Sequence, residues 1–248
     1  MPSYALIGEA YADVFGPALL RSGYRYLALP SYPVLSKPVS SHADMLLLSI
    51  GNTHFLPAHY AADPRVRTLL SRVSESQGPD APSPPVFRLV RGPLSALYPE
   101  DVSLNALICD RFLFARLDAL APEVREFAIE NGMTLLNVRQ GYAGCSSIVL
   151  SPHAILTSDV GIQRAARAVG LETLLLPPGQ IHLAGYRGNG GMPGGAAGAD
   201  FKTHTLFLCG TPPTSVERTI RDFCACFSWQ VRVLSESPWT DVGGIRFL

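Results

Sequence analysis

The sequence predicts an α/β fold made of five repeated units, and three observations lead to that prediction. The composition is that of a globular protein with a sizeable core, because 47% of the 248 residues are hydrophobic and only 16% are charged, against a typical charged share of about 25%. Segments typical of a hairpin, a helix and a strand recur along the chain. Together they span its whole length, which favours one domain over residues 1–248.

Four segments have the pattern of a helix followed by a strand. In three of them a glycine stands at the junction, where glycine can adopt the left-handed conformation that ends a helix at little cost. The segments are helix 13–23 with strand 24–29, helix 123–132 with strand 133–138, helix 160–170 with strand 171–176, and helix 215–227 with strand 229–234. A fifth segment predicts a helix over 64–73 and a strand over 86–90, joined by a proline-rich loop at 78–85.

Paired strand-like runs precede most of these helices and predict β-hairpins. They are 45–50 with 53–56, 105–109 with 111–115, and 147–150 with 154–157, and a single run at 204–208 opens a further unit.

The first helix follows only one strand, 4–7, and its missing partner is the run 244–248 at the other end of the chain. A ring of five units would therefore close by pairing the two chain ends. Each unit alone leaves an apolar sheet face unburied, so the full ring is needed. The expected unit starts are His42, Asn105, Cys145, Phe201 and Asp241.

Charge and motif patterns exclude several function classes. Twenty Lys and Arg balance twenty Asp and Glu, so neither nucleic acid nor an anionic membrane surface is an expected partner. The most apolar stretch, 45–62, contains too many polar and helix-breaking residues for a membrane span. The first residues lack the features of a secretory signal, so a cytoplasmic location is expected. No nucleotide-binding or metal-ligand motif appears, and no cofactor or metal is expected.

Five cysteines without a CxxC pair predict neither a disulfide framework nor a structural zinc site. Cys145 is distinct, because it follows a turn-rich approach at 140–144 and opens a strand-like run. The other four are expected to be buried small hydrophobic residues, namely Cys109, Cys209, Cys224 and Cys226. His54 and His59 are expected on the surface of a hairpin rather than as metal ligands.

The unit pattern resembles the pentein fold, the five-bladed α/β propeller of arginine deiminases, agmatine deiminases, amidinotransferases and dimethylarginine hydrolases. Four stretches look more closely like an uncharacterised bacterial family assigned to that fold, namely 137–146, 156–162, 178–185 and 241–245. The resemblance implies a pseudo-fivefold propeller that is closed by pairing of the N- and C-terminal strands.

The resemblance also implies three catalytic residues. In hydrolases of this fold, a unit opening with an acidic residue and two glycines is followed by one opening with His-x-Asp. The nucleophilic cysteine opens the unit two further on. Here Asp241 with two nearby glycines, His42 with Asp44, and Cys145 occur in that circular order. The sequence departs from the pattern in two places. Val242 separates Asp241 from the glycines, and Gly144 stands where a histidine often precedes the cysteine.

These residue types suit chemistry at a guanidinium carbon. A thiolate is the nucleophile, and its formation requires a positive neighbour, which the substrate itself can supply. A histidine protonates the departing amine and later activates water. A carboxylate orients the histidine or binds the guanidinium through paired hydrogen bonds. Asp241 or Asp44 can fill that role, because residues 42 and 44 share a face if they lie in a strand. Asp241 can instead accept N–H bonds within its own turn.

The loops that carry Asp241, His42, Asn105 and Cys145 are expected to converge at one mouth of the ring, together with the glycine-rich run 188–198, which is expected to close over the centre. Substrate-binding residues are expected among them, namely Asp44, Asn105, Gln140, His182, Gly191 and Gly195. Two functions fit this mouth. One is a cofactor-independent thiol hydrolase or amidinotransferase acting on a guanidino or amidine compound. The other is a catalytically inactive propeller that binds a small ligand or a protein partner.

Overall fold

Five small sheets follow one another along the chain, as the repeated units predict. The structure, a computed structural model, describes residues 4–76, 85–92, 94–186, 188 and 190–247. Over these residues there are five sheets of three strands each. In the same part of the chain, no helix has the length and apolar character needed to cross a membrane.

The first sheet joins the two ends of the chain. Its middle strand is β1 (Tyr4–Gly8), and β2 (Arg25–Leu29) and the last strand of the chain, β15 (Arg246–Phe247), form its two edges. Helix α1 (Glu9–Arg21) connects β1 to β2. β1 lies parallel to β2 and antiparallel to β15, with Ala5 opposite Phe247. The predicted pairing of the N- and C-terminal strands is therefore confirmed.

The other four sheets repeat one arrangement, in which a hairpin is followed by a helical crossover and a third strand parallel to the second. The second unit contains α2 (Ala43–Leu46), β3 (Leu48–Ile50), β4 (Thr53–Pro57), α3 (Ala58–Ala61), α4 (Pro64–Ser76) and β5 (Val86–Val90). The third contains β6 (Leu107–Cys109), β7 (Phe112–Ala115), α5 (Pro122–Glu130) and β8 (Thr134–Asn137).

The last two units follow the same order. The fourth contains β9 (Ser147–Ser151), β10 (Ala154–Thr157), α6 (Val160–Ala168) and β11 (Glu172–Leu175). The fifth contains β12 (Ala197–Asp200), β13 (Thr205–Leu208), α7 (Thr214–Ala225) and β14 (Gln230–Val233).

The middle strand of each sheet contributes to two different cores. Successive side chains of a strand point to opposite faces, and in β10 Ile155 faces the third unit whereas Leu156 faces the fifth. In β13 Leu206 faces the fourth unit and Phe207 the first. Because both faces are covered, these strands are continuously apolar instead of alternating. Each of five core clusters joins two neighbouring units, and the last returns to the first.

Three details of the predicted secondary structure are wrong. Residues 45 and 46 belong to the one-turn helix α2, closed by the bond from Leu47 N to Ala43 O (2.8 Å), and not to a strand. The fifth unit begins at β12, so Phe201 lies after its first strand and the glycine-rich run ends inside that strand. A Cβ at Gly198 would lie 2.7 Å from Ile245 Cβ, so close packing selects small residues that carry no strand pattern.

Two burial predictions are also wrong. Cys226 is exposed, because it caps the C-terminal end of α7, whereas the three other structural cysteines are buried as predicted. His54 is buried beneath Phe87, with their ring centroids 5.5 Å apart, and only His59 lies on the surface. Most of the predicted loop 78–85 lies outside the described residues.

The packing of Phe247 provides a test of the terminal closure. Its ring contacts Tyr24 and Phe207, with centroid distances of 4.9 and 5.2 Å, and so joins the first and fifth units. We expect Phe247→Ala to lower the free energy of unfolding in urea by about 2 kcal/mol. Phe201→Ala, at a half-exposed ring, should lower it by less than about 1 kcal/mol. Equal losses would contradict the closure.

Candidate active site

The loops that precede the inner strands meet at one end of the five sheets. His42 precedes β3, Asn105 precedes β6, Cys145 precedes β9 and Asp241 precedes β15. Backbone hydrogen bonds connect these loops, for example from Asp44 N to the carbonyl of the glycine at position 243 (3.0 Å). The structure thus brings together the loops that carry His42, Asn105, Cys145 and Asp241, whereas Phe201, the remaining expected unit start, lies after β12.

Asn105 holds Cys145 in place. Its Nδ2 donates to Cys145 Sγ (2.8 Å) and to the backbone oxygen of Asp44 (3.1 Å). Its Oδ1 accepts from the backbone N–H groups of Gly144 (2.8 Å) and Cys145 (3.2 Å). Both Asn105 and Cys145 are buried. A Cβ at Gly144 would lie 2.9 Å from Ala106 O, which explains why no histidine stands before this cysteine.

His42 lies between two carboxylates. Its Nδ1 is 3.7 Å from Asp241 Oδ1 and 4.0 Å from Asp44 Oδ1, and all three side chains are buried. Gly243 makes this approach possible, because it has φ +79° and a side chain there would collide with His42. The position of Asp44 does not arise from strand periodicity, since it lies in the first turn of α2. The predicted strand face shared by residues 42 and 44 is therefore wrong, although Asp44 does lie beside His42.

The Asp241 carboxylate both accepts a hydrogen bond within its own turn and faces His42, the two arrangements that the sequence left open. Its Oδ1 accepts from Gly243 N (3.0 Å), a bond within its own turn, and its Oδ2 accepts from Met192 N (2.9 Å). The same carboxylate faces His42 from the far end of the chain. Asp241 therefore stabilises its own turn and lies beside His42 at the same time.

Several polar atoms of this cluster are buried without a hydrogen bond. Within the described part of the chain, they are both carboxylate oxygens of Asp44 and Nε2 of His42. Neither Asp44 nor Asp241 forms an ion pair with a lysine or arginine in the same part. Leaving such groups buried and unpaired costs about 1–3 kcal/mol each, and more for charged groups. The cluster is therefore complementary to a small cation with several N–H donors.

Burial controls the protonation of the cluster. Burial, with the negative charges of Asp44 and Asp241, raises the pKa of the Cys145 thiol well above its ordinary value. Burial lowers the pKa of His42, and the charge of Asp44 only partly opposes this. Burial and the charge of Asp44 raise the pKa of Asp241 to about 7. Without a ligand, the thiol is therefore protonated and the imidazole is neutral near neutral pH.

Two tyrosines near the cluster were missed in the sequence analysis. The Tyr11 ring centroid is 5.8 Å from that of His42, and burial with the charges of Asp241 and Asp44 raises the pKa of Tyr11 to about 12. Tyr142 donates to Asp101 Oδ2 (2.6 Å). No motif marks either residue, and Tyr11 lies within α1 of the first unit and approaches His42 at the start of the second unit only through tertiary packing.

The remaining predicted substrate-binding residues have different environments. Gln140 bonds to Asp159 Oδ2 (3.3 Å) and accepts from Tyr142 N (3.1 Å), so it stabilises the loop before Cys145. The His182 side chain is exposed, and its backbone oxygen accepts from Asp241 N (2.8 Å).

Gly191 and Gly195 leave room for the Asp241 carboxylate. A Cβ at Gly191 would lie 2.8 Å from Asp241 Cβ, and one at Gly195 would collide with the carboxylate itself. Their predicted place at the site is thus a packing role beside Asp241. Over the described residues, no group of three or more His, Cys, Asp or Glu side chains is arranged to hold a metal ion.

Comparison with known proteins gives a family and a fold. Residues 6–246 match a family model described as "Family of unknown function (DUF6873)". No curated protein matches this sequence.

Solved structures share the fold at low sequence identity. A dimethylarginine dimethylaminohydrolase variant, as an adduct with S-methyl-L-thiocitrulline, has a TM-score of 0.58 at 10% identity over 100% of both chains. A variant from Pseudomonas aeruginosa in complex with citrulline has a TM-score of 0.55 at 10% identity, again over 100% of both chains. An amidinotransferase of the saxitoxin pathway of Microseira wollei has a TM-score of 0.53 at 11% identity, covering 94% of this chain and 75% of its own. The predicted pentein fold is confirmed.

The raised pKa of Asp241 makes stability depend on pH. In the folded chain this carboxyl keeps its proton up to about pH 7, whereas its ordinary pKa is 3.8. The unfolded chain therefore loses the proton first, and raising the pH through this window favours unfolding. Between pH 5 and pH 8 we expect urea unfolding of the wild type to lose on the order of 2 kcal/mol relative to Asp241→Asn.

The exposed Asp13→Asn on α1 is the control for that measurement, since it removes a carboxylate outside the cluster. Its pH profile should follow that of the wild type. A constant difference between wild type and Asp241→Asn across this pH range would show that Asp241 ionises normally in the folded chain.

Proposed function

The chain belongs to the DUF6873 family, and we propose that it is a cofactor-independent cysteine hydrolase or amidinotransferase acting on a guanidino or amidine small molecule. One observation carries the proposal. A thiol, an imidazole and two carboxylates, from Cys145, His42, Asp44 and Asp241, lie in one buried cluster whose negative charge has no cationic partner among the described residues.

Recognition begins with the two carboxylates. A guanidinium or amidinium group is planar and has several N–H donors, which suit carboxylate oxygens through paired, charge-assisted hydrogen bonds. Neither oxygen of Asp44 has a partner in good hydrogen-bond geometry among the described residues, and its carboxylate acts on the adjacent Cys145 thiol, whereas both oxygens of Asp241 already accept one backbone bond each. Asp44 therefore binds the cation directly, and Asp241 adds negative charge and faces His42.

The cation also activates the nucleophile. Its positive charge next to Cys145 opposes the burial and the carboxylate charges that raise the pKa of the thiol. His42 is neutral in the empty site and accepts the thiol proton. The sulfur then attacks the central carbon of the guanidinium or amidinium, and an S–C bond forms.

The same histidine completes the first half-reaction. The C–N bond to the departing amine breaks, and the proton taken from the thiol passes from His42 to that amine. The cysteine then carries an amidino group on its sulfur. In a hydrolase, water deprotonated by His42 attacks this carbon and releases the thiolate. In an amidinotransferase, an acceptor amine attacks instead.

A second candidate function is ligand binding without turnover, and the state of Cys145 favours it. The thiol is only 6% exposed and its pKa is raised well above the ordinary value. A protein that only binds a cation through Asp44 and Asp241 needs no thiolate. The two functions differ in whether a bound cation makes Cys145 reactive.

Alkylation with 2-chloroacetamidine, compared with the neutral 2-chloroacetamide, distinguishes these functions. The background is Cys226→Ser, because Cys226 is the exposed thiol and would react with either reagent. We expect 2-chloroacetamidine to label Cys145 roughly tenfold or more faster than the neutral reagent, since the carboxylates attract the amidinium. Intact-protein mass and peptide mapping measure the rate at each cysteine.

The site variants assign the roles. Asp44→Asn should remove the preference for the cationic reagent, and the exposed Asp13→Asn should keep it. His42→Ala should slow the labelling of Cys145 by both reagents, because it removes the group that accepts the thiol proton. If Asp241→Asn leaves the preference intact, Asp241 is a turn residue and Asp44 alone binds the cation. Slow labelling of Cys145, at the rate of the buried Cys109, would exclude the enzyme and favour binding without turnover.

A further inference from the structure

A second ligand site lies on the opposite side of the Cys145 loop. We propose that the central cavity between the five sheets binds a small organic anion with an apolar body, through Arg246. This site is separate from the cation cluster and does not depend on the proposed reaction.

The position of the cavity follows from the direction of the inner strands. The first strands of the last four units and β15 all start at the active-site loops and run away from them. Between them lies a cavity of about 280 Å³, to which every one of these five strands contributes. Its volume is near the lower end of the range for small-molecule sites, about 300–1,000 Å³.

The floor of the cavity is the back of the active-site turn. Gly144 and Gly194 line it, and Gly194 N donates to Cys145 O (2.7 Å). A Cβ at Gly194 would lie 2.8 Å from Cys145 O, so only backbone separates the cavity from the cysteine loop. The cavity is therefore reached from the face opposite the loops that carry His42 and Asp241.

Among the described residues, the charged side chain of the cavity lining is that of an arginine. Arg246 lines the cavity, and among the residues that the structure describes no aspartate or glutamate does. Arg246 is partly buried and forms no ion pair or hydrogen bond through its side chain within the described residues. A guanidinium that is partly removed from water without a counter-ion attracts a carboxylate, which it can bind through two parallel hydrogen bonds.

The rest of the lining selects the body of the ligand. Large apolar side chains form part of the wall, among them Leu107, Ile148, Ile245, Phe201 and Phe247, and glycines and alanines form another part. Besides Arg246, the polar residues of the lining are Ser147 and the pair of Ser49 and His54, in which Ser49 Oγ and His54 Nδ1 are 2.8 Å apart. A carboxylate carried by a short alkyl or aryl body matches this combination of one basic residue and an apolar wall.

The test uses 4-phenylbutyrate and its neutral analogue 4-phenyl-1-butanol, with binding measured by isothermal titration calorimetry. We expect saturable binding of the acid to the wild type, and at least tenfold weaker binding of the alcohol, because only the acid pairs with Arg246. Arg246→Met and Arg246→Gln should weaken binding of the acid at least tenfold, and Arg246→Lys should retain part of it.

Two matched variants locate the site. Arg218→Met removes an exposed arginine on α7 and should bind the acid as the wild type does. Cys145→Ala should also bind it normally, because the cavity lies behind the cysteine loop. The proposal is overturned if the wild type shows no saturable binding, if the alcohol binds as tightly as the acid, or if Arg246→Met keeps its affinity. Loss of binding in Cys145→Ala would place the acid in the active-site mouth and equally overturn it. If both neutral Arg246 variants fail to fold, the comparison of acid with alcohol on the wild type decides.

Discussion

The two-sided burial of the middle strands is the constraint on which the rest of the structure depends. In β7, Leu113 packs against the second unit and Phe114 against the fourth, so the third unit needs both neighbours to bury its own strand. The same relation holds around the molecule, and β15 supplies the partner that β1 lacks. Because every inner strand starts at the same end, residues far apart in sequence meet there. For this reason Asp241 Oδ1 lies 3.7 Å from His42 Nδ1.

This geometry also explains how an unfavourable charge arrangement is tolerated. Asp44 and Asp241 are buried beside a neutral imidazole and a protonated thiol, and neither carboxylate oxygen of Asp44 has a partner in good hydrogen-bond geometry among the described residues. Such a cluster lowers stability, and it persists because the cores on either side determine the positions of the loops. A cation that binds both carboxylates would repair the deficit. The binding energy available at this site is thus created by the fold.

Much of this arrangement could be predicted from the sequence, because apolar runs, helix-ending glycines and hairpins recur with each unit. The pairing of the chain ends followed from a single unpartnered strand, whereas Cys145, His42 and Asp241 were indicated by the resemblance to hydrolases of the pentein fold, in which such residues have the same circular order. The strand β12 was missed, since close packing against Ile245 requires small residues there. Tyr11 was missed because its approach to His42 depends on tertiary contacts that no local pattern encodes.

If Asp44 and Asp241 form a cation site as proposed, the protein binds a guanidinium compound, and calorimetric titration with methylguanidinium chloride measures this binding. At pH 8 and constant ionic strength, we expect methylguanidinium to bind saturably to the wild type. Binding to Asp44→Asn should be at least tenfold weaker, because a charge-assisted pair is lost. Tetramethylammonium, which has no N–H donor, should bind no more tightly to the wild type than to the variant. Equal binding of methylguanidinium to the wild type and Asp44→Asn would show that the Asp44 carboxylate does not bind the cation.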